Sequence, residues 1–268
     1  MTASTGRARR SLAAVIPAAA VVLVAVCGPF LAPHNPHDSV DIPFATPSSA
    51  VWLGTDHLGQ DVLSNLFAGG WGLIAIAVVI AVAVTLCAAV LGATAALRPR
   101  LGVALERITD ALMLVPPILA ILLVMLSWPG AGSAGLILVA TLIGTPYSAR
   151  VFAAAAASIA ASGYVEVATA SGESLPYVLF REVLPNLRPT LLAQLGLRFV
   201  EATYLVSTAA FLQLPAALGT TNWAIMVRDN SSGITLNLWA VLAPAAAIAI
   251  VSIGAAFTIR LVGDQERI

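Results

Sequence analysis

Lysine is absent from the 268 residues; all thirteen basic side chains are Arg. Without lysine there is no Walker A loop, whose Lys reaches the nucleotide phosphates, and no Schiff-base chemistry. If ATP drives this protein, another chain must bind it. Charge of either sign is scarce. Charged residues make up 10% of the chain, against about 25% in a typical soluble domain. Hydrophobic residues reach 59% and the mean hydropathy is +0.95. So little polar surface cannot cover a globule in water, and the solvent for most of this chain must be lipid. The formal net charge is zero, so no global attraction to nucleic acid is implied. Cysteine is nearly absent too. Cys27 and Cys87 both fall in apolar runs, which argues against a disulfide framework and for buried, inert thiols. No nucleophile–base set or metal cluster stands out, so an enzyme is not expected.

What is present is a series of long apolar runs. A helix needs roughly 20 residues to cross the hydrocarbon core, and six runs qualify: Leu12–Leu31, Trp71–Leu97, about Leu105–Trp128, Ala134 to about Arg150, Leu191 to about Leu214, and about Leu238–Val262. The expected fold is therefore an all-α integral membrane protein with about six transmembrane helices. The Ala-rich stretch 151–161 continues the fourth run without a break, and Ala is a strong helix former. That stretch is expected to leave the membrane as a continuing helix. Arg7, Arg9 and Arg10 before the first run resemble a secretion signal, and Cys27 suggests a lipoprotein cleavage site. Val26 is too bulky for that cleavage and the apolar run continues past it, so an uncleaved first helix is expected.

Arginine placement sets the orientation. With the N-terminus inside, the inner segments hold Arg7, Arg9, Arg10, Arg98, Arg100, Arg107, Arg150, Arg181, Arg188, Arg198, Arg260 and Arg267, and the outer ones only Arg228. Asp38, Asp41, Asp56 and Asp61 fall outside. Basic residues concentrate on cytoplasmic flanks, so both termini are expected in the cytoplasm. The layout follows: a cytoplasmic tail (1–11), the first span (12–31), an extracytoplasmic segment (32–70), a membrane core (71–262) and a second cytoplasmic tail (263–268).

Two connecting segments hold most of the remaining sequence. The outer one begins with Pro33, Pro36, Pro43 and Pro47, which exclude regular helix. It ends in a stretch where Leu58, Val62, Leu66 and Phe67 share one helical face, capped by Thr55 or Asp56; a short interfacial helix is expected there. The inner segment, 158–189, is too polar to span. Gly172 can end one short helix, Ser174 with Pro176 can start another, and Pro185 stops it. Leu175, Val178, Leu179 and Val183 form its apolar stripe.

That inner segment resembles the cytoplasmic coupling motif of bacterial ABC importer permeases. In the family pattern, Glu-Ala-Ala is followed by a Gly six positions after the Glu and a Leu-Pro about a dozen residues further on. Here Glu166-Val167-Ala168 precede Gly172 and Leu184-Pro185, with Val in place of the first Ala. Phe30-Leu31-Ala32-Pro33-His34-Asn35-Pro36 and the run Leu53-Gly54-Thr55-Asp56 through Ser64 are similar to the second permease subunit of the dipeptide/oligopeptide/nickel importers. Phe211-Leu212-Gln213-Leu214 and Leu261-Val262-Gly263-Asp264 also match, with Gln213 replacing the usual Gly. The family usually carries a Glu shortly before its Phe-Leu-Gly-Leu, where this chain has Val206-Ser207, and is charged between positions equivalent to Arg150 and Tyr164, where this chain is Ala- and Ser-rich.

The resemblance implies a permease that pairs with a homologous permease as a heterodimer in the bacterial plasma (inner) membrane. Two cytoplasmic ATPase subunits would bind ATP and Mg, and an extracytoplasmic binding protein would deliver substrate. No cofactor is expected in this chain. Glu166, Ala168, Gly172, Leu175, Phe180, Arg181, Leu184 and Pro185 are the expected coupling residues. The substrate is expected to be a peptide; nickel or another small solute is carried by other members of the subfamily, and substrate-contacting residues are not identified.

Other residues have plainer readings. Asp110 and Glu201 are the ionisable groups closest to the membrane interior, and their proximity in sequence to Arg107 and Arg198 suggests pairing toward the cytoplasmic ends. His34, His37 and His57 lack partners at ligand spacing and are assigned to loop structure. Pro116-Pro117 fits either a kink along a pathway or packing around a bend. Ala88, Gly92 and Ala96 permit close helix approach. Arg150, Arg181 and Arg198 are read as interface anchors. The principal alternative, a secondary transporter, would be expected to show inverted repeats, broken helices and ionisable residues near the midplane.

Overall fold

The computed structural model describes residues 21–25, 27–212 and 222–265, with 258–265 as backbone alone. The first half of the expected first span, Val26, Gln213 and Leu214, and the chain ends lie outside the described residues. Among those described, the protein is built of helices and turns, with two isolated bridges, Ser39–Gln60 and Thr55–Asp61, in place of any strand. Residues 21–25 and 27–31 are helical and are designated α1. The later helices are α2 (Val62–Ala68), α3 (Gly70–Leu97), α4 (Pro99–Leu112), α5 (Pro117–Ser127), α6 (Gly132–Ala160), α7 (Gly163–Ala170), α8 (Leu175–Tyr177), α9 (Arg188–Phe211), α10 (Trp223–Asn230) and α11 (Trp239–Gln265).

Among the described residues, three helices are long and apolar enough to cross a membrane, within 62–97, 129–160 and 239–257, and four are if α4 and α5 count as one broken span. Helix α9 has 24 residues, roughly 36 Å at 1.5 Å per residue, but carries Arg188, Arg198 and Glu201. Among the described residues, three or four of the six expected runs are thus met by uniformly apolar helices, and the first run lies partly outside those residues.

The third run departs most from expectation. It is not one helix over 105–128 but two, α4 and α5, bent by 81°. Pro116 is extended (φ −61°, ψ 124°), because the residue before a proline is driven out of the helical region and Pro117 has no N–H to donate. Helix α4 is amphipathic, with Arg100, Glu106, Arg107 and Asp110 among apolar side chains. Of its residues only Thr109 is buried.

The long helices α3 and α6 form the central pair. Small residues set their separation: an added Cβ at Gly92 would lie 2.6 Å from Phe152 Cβ and 2.8 Å from Ala153 N. The close approach that the Ala88–Gly92–Ala96 spacing permits is therefore used. One apolar cluster joins α3, α6, α9, α10 and α11 through Leu73, Ile80, Leu136, Val206 and Trp223. A second lies at the other end of α3 and α6. The cysteines depart from expectation: Cys87 is exposed and Cys27 half-exposed, because the apolar runs that hold them turn partly outward.

The outer segment is ordered by turns rather than by helix. Thr55 Oγ1 donates to Ile42 O (2.6 Å) and accepts from Ala45 N (2.7 Å). The Asp56 carboxylate accepts from Leu58 N and Gln60 N. Both candidate caps are thus consumed in the turn, and the helix starts later, at Val62. Its cap is Asp61, which accepts from Leu63 N, Ser64 N and Ser64 Oγ. His34 Nδ1 sits 3.1 Å from Asp61 Oδ2, so this histidine has the loop role expected of it. The segment is pinned from far along the chain. Asn237 Nδ2 donates to Leu53 O and Thr55 O (both 2.9 Å), His57 N donates to Asn230 Oδ1, and Trp223 Nε1 donates to Leu66 O.

Candidate functional site: the segment between α6 and α9

Helix α6 runs unbroken through the Ala-rich stretch to Ala160, as its composition leads one to expect. The chain then turns at Ser162 into α7. This helix ends in a Schellman motif: Gly172 N donates to Thr169 O and Glu173 N to Ala168 O. Gly172 has φ +84°, a left-handed conformation that glycine adopts without steric cost. Ser174 and Pro176 then start α8. From Val178 to Val183 the turn widens to a π-helix, and Leu184–Leu187 tighten to a 3₁₀ turn that leads directly into α9. Pro185 therefore changes the helix type rather than stopping the chain's helical course, since a 3₁₀ start tolerates a residue without N–H.

The segment is bolted to the ends of α3 and α6. Val165, Val178, Leu179, Val183 and Leu187 are buried with Ala88, Ala89, Ala93, Ala149, Phe152 and Ala156. Of the expected stripe, Val178, Leu179 and Val183 are buried while Leu175 is half-buried. Each buried aliphatic side chain contributes about 1.5–3 kcal/mol, so this mounting is stiff for so short a segment.

The expected coupling residues divide into two groups. Ala168 and Leu184 pack against the buried cluster, and Leu175 is half-buried at the start of α8. Glu166, Gly172, Phe180, Arg181 and Pro185 are exposed. Glu166 also borders a cavity of about 470 Å³ between the ends of α3 and α6 and the face of α7, shared with Leu97 and Val165. Three large side chains absent from the expected set stand out beside Phe180: Tyr164, Val167 and Tyr177 are all exposed. A polar connecting segment has no need of outward Tyr164, Val167 and Tyr177, and that excess of large apolar and aromatic side chains was the available signal. The segment therefore presents a mixed aromatic and charged face on a rigid base.

The two carboxylates expected nearest the membrane interior both form ion pairs. Asp110 pairs across helices with Arg150 (2.9 Å) rather than with Arg107. Glu201 pairs with Arg198 one turn before it. Arg198, read as an interface anchor, is the eleventh of 24 residues in α9 and is buried rather than reaching outward.

The part of the chain from the last third of α3 to α11, residues 88–265, includes this segment and matches the family described as binding-protein-dependent transport system inner membrane component. The chain belongs to that family. Three relatives extend the similarity over most of the sequence. A putative peptide transport system permease protein of Brucella suis is 29% identical over 92% of this chain and 82% of its own length. The probable D,D-dipeptide transport system permease protein DdpC of Escherichia coli K12 is 25% identical over the same shares. The peptide transport system permease protein SapC of Escherichia coli O6:H1 is 31% identical over 81% of this chain and 72% of its own. This chain is a multi-pass permease subunit of the inner membrane. Its similarity begins before the family match and includes the outer segment.

Proposed function

We propose that this permease moves peptides into the cell as one of two homologous membrane subunits, powered by cytoplasmic ATPases that seat on the segment 158–189. The observation that carries this reading is that segment's construction. A short helical hairpin, mounted by buried contacts on the two longest helices, exposes Glu166, Phe180 and Arg181. Movement of a partner bound there is passed to α3 and α6 as rigid-body displacement, which is what alternating access requires. Both termini lie in the cytoplasm in this reading, and a binding protein delivers substrate to the outer segment. The peptide assignment rests on the relatives' names.

The test is uptake by proteoliposomes holding this chain, its partner permease, the ATPases and the binding protein. Peptide accumulation that needs ATP and the binding protein is the expected result. Accumulation driven by an ion gradient without ATPases would refute the assignment.

A further inference from the structure

The α4–α5 break, the proline of α6 and the buried arginine of α9 meet at one cavity. It has a volume of about 440 Å³ and is lined by Thr109, Pro117, Pro146, Tyr147, Arg198 and Glu201, with apolar neighbours. Pro146 and Tyr147 fall midway along α6, and Arg198 and Glu201 midway along α9. The cavity therefore lies beside the middle of both helices.

Arg198 is 7% exposed. Its Nη1 is held by Glu201 and its guanidinium carbon lies 5.4 Å from the centre of the Tyr147 ring. Its Nε is buried without an acceptor. An arginine that serves only as an anchor reaches for the interface or fills its donors with nearby carbonyls. Arg198 does neither. Helix α5, of 11 residues, begins at Pro117 on the cavity wall, so the positive end of its dipole also opens there. The neighbouring charges Asp110 and Arg150 satisfy each other. Thr109 ties the wall together by donating to Leu105 O and Pro146 O.

We propose that this cavity is a transit site for the C-terminal carboxylate of the transported peptide, with Arg198 as its anchor. The inference rests on the peptide-importer reading above. Glu201 and Tyr147 fix one side and one face of the guanidinium, and a turn of the side chain toward the cavity would give its buried Nε, which has no acceptor, a carboxylate oxygen to bind. The Arg198–Glu201 pair is neutral as a whole, so the bound carboxylate is held by donors and the helix dipole rather than by net charge. Such a hold is weak enough to release cargo onward, as passage requires.

The test compares wild type with Arg198→Gln, and with Arg198→Gln/Glu201→Gln, which keeps the remaining partner uncharged. Each is reconstituted with its partner subunits and saturating binding protein. The probes are alanine peptides of two to five residues as free acids, and the same peptides as C-terminal amides, quantified by mass spectrometry. The ratio of variant to wild-type uptake cancels any preference of the binding protein. Both variants are expected to lose about tenfold or more for free acids, the scale of a hydrogen bond to a charged group, and to stay within about twofold for amides. Equal loss of both probes, or loss of neither in a variant that assembles by size exclusion, overturns the carboxylate site alone. Failure of wild type to move either probe overturns the peptide-importer reading, and this site with it.

Discussion

Replacing Gly92 with leucine tests the central helix pair and, through it, the support of the segment between α6 and α9. An ideal Cβ at this position would lie 2.6 Å from Phe152 Cβ, 2.8 Å from Ala153 N and closer still to Ala149 O. Ordinary contact begins near 3.4 Å, and two of the three obstacles are backbone atoms that no rotamer change can move. Helices α3 and α6 must therefore part by roughly 1 Å for alanine and by more for leucine, in an interior packed as densely as an organic crystal. Overpacking of this kind costs about 1–3 kcal/mol. Alanine regains up to about 1 kcal/mol in helix propensity relative to glycine, so Gly92→Ala should lose about 1–2 kcal/mol net. Gly92→Leu should lose about 3 kcal/mol or more. The assay is equilibrium unfolding of the purified chain in bicelles, followed by helix content. Leu86→Ala, on an exposed part of α3, serves as the control and should shift stability by less than about 0.5 kcal/mol. If Gly92→Leu unfolds at the wild-type midpoint, α3 and α6 are not packed as described.

The remaining predictions concern the outer segment. Asp61→Ala removes a helix cap and leaves the buried Ser64 hydroxyl without the acceptor for its proton. It should cost about 2 kcal/mol, read as a lower unfolding midpoint, while Asp38→Ala at an exposed site stays neutral. Asn237→Ala frees the carbonyls of Leu53 and Thr55 and should open the stretch 38–60 to limited proteolysis. Unchanged cleavage would show that the outer segment is held by other contacts.

What could be read from the sequence were features with local causes. The course of α3 follows from an uninterrupted apolar run. The α7 stop and the α8 start follow from Gly172, whose φ is positive, and from Ser174 with Pro176. The close approach at Gly92 follows from small residues four apart. What could not be read was decided by distant partners. Thr55 and Asp56 look like caps, but their side chains are taken by Ile42, Ala45, Leu58 and Gln60 in a turn that Asn237 holds from about 180 residues away. The α4–α5 break was signalled by Pro116-Pro117, but an 81° bend depends on what packs beneath it. Arg198 and Glu201 could be read as a pair from spacing, while the burial of Arg198 under the Tyr147 ring depends on how α9 packs against α6. A broken helix is a feature expected of secondary transporters, and here one occurs in a binding-protein-dependent permease.

The central claim is that the segment 158–189 transmits the work of ATP hydrolysis to α3 and α6. It is tested most directly by the ratio of peptide imported to ATP hydrolysed in the complex carrying Glu166→Lys and Gly172→Pro. Proline cannot adopt the φ of +84° found at Gly172, and lysine reverses the charge of an exposed side chain on α7. The account predicts that the doubly substituted chain inserts and the complex hydrolyses ATP while that ratio collapses. A ratio equal to the wild-type value would contradict it.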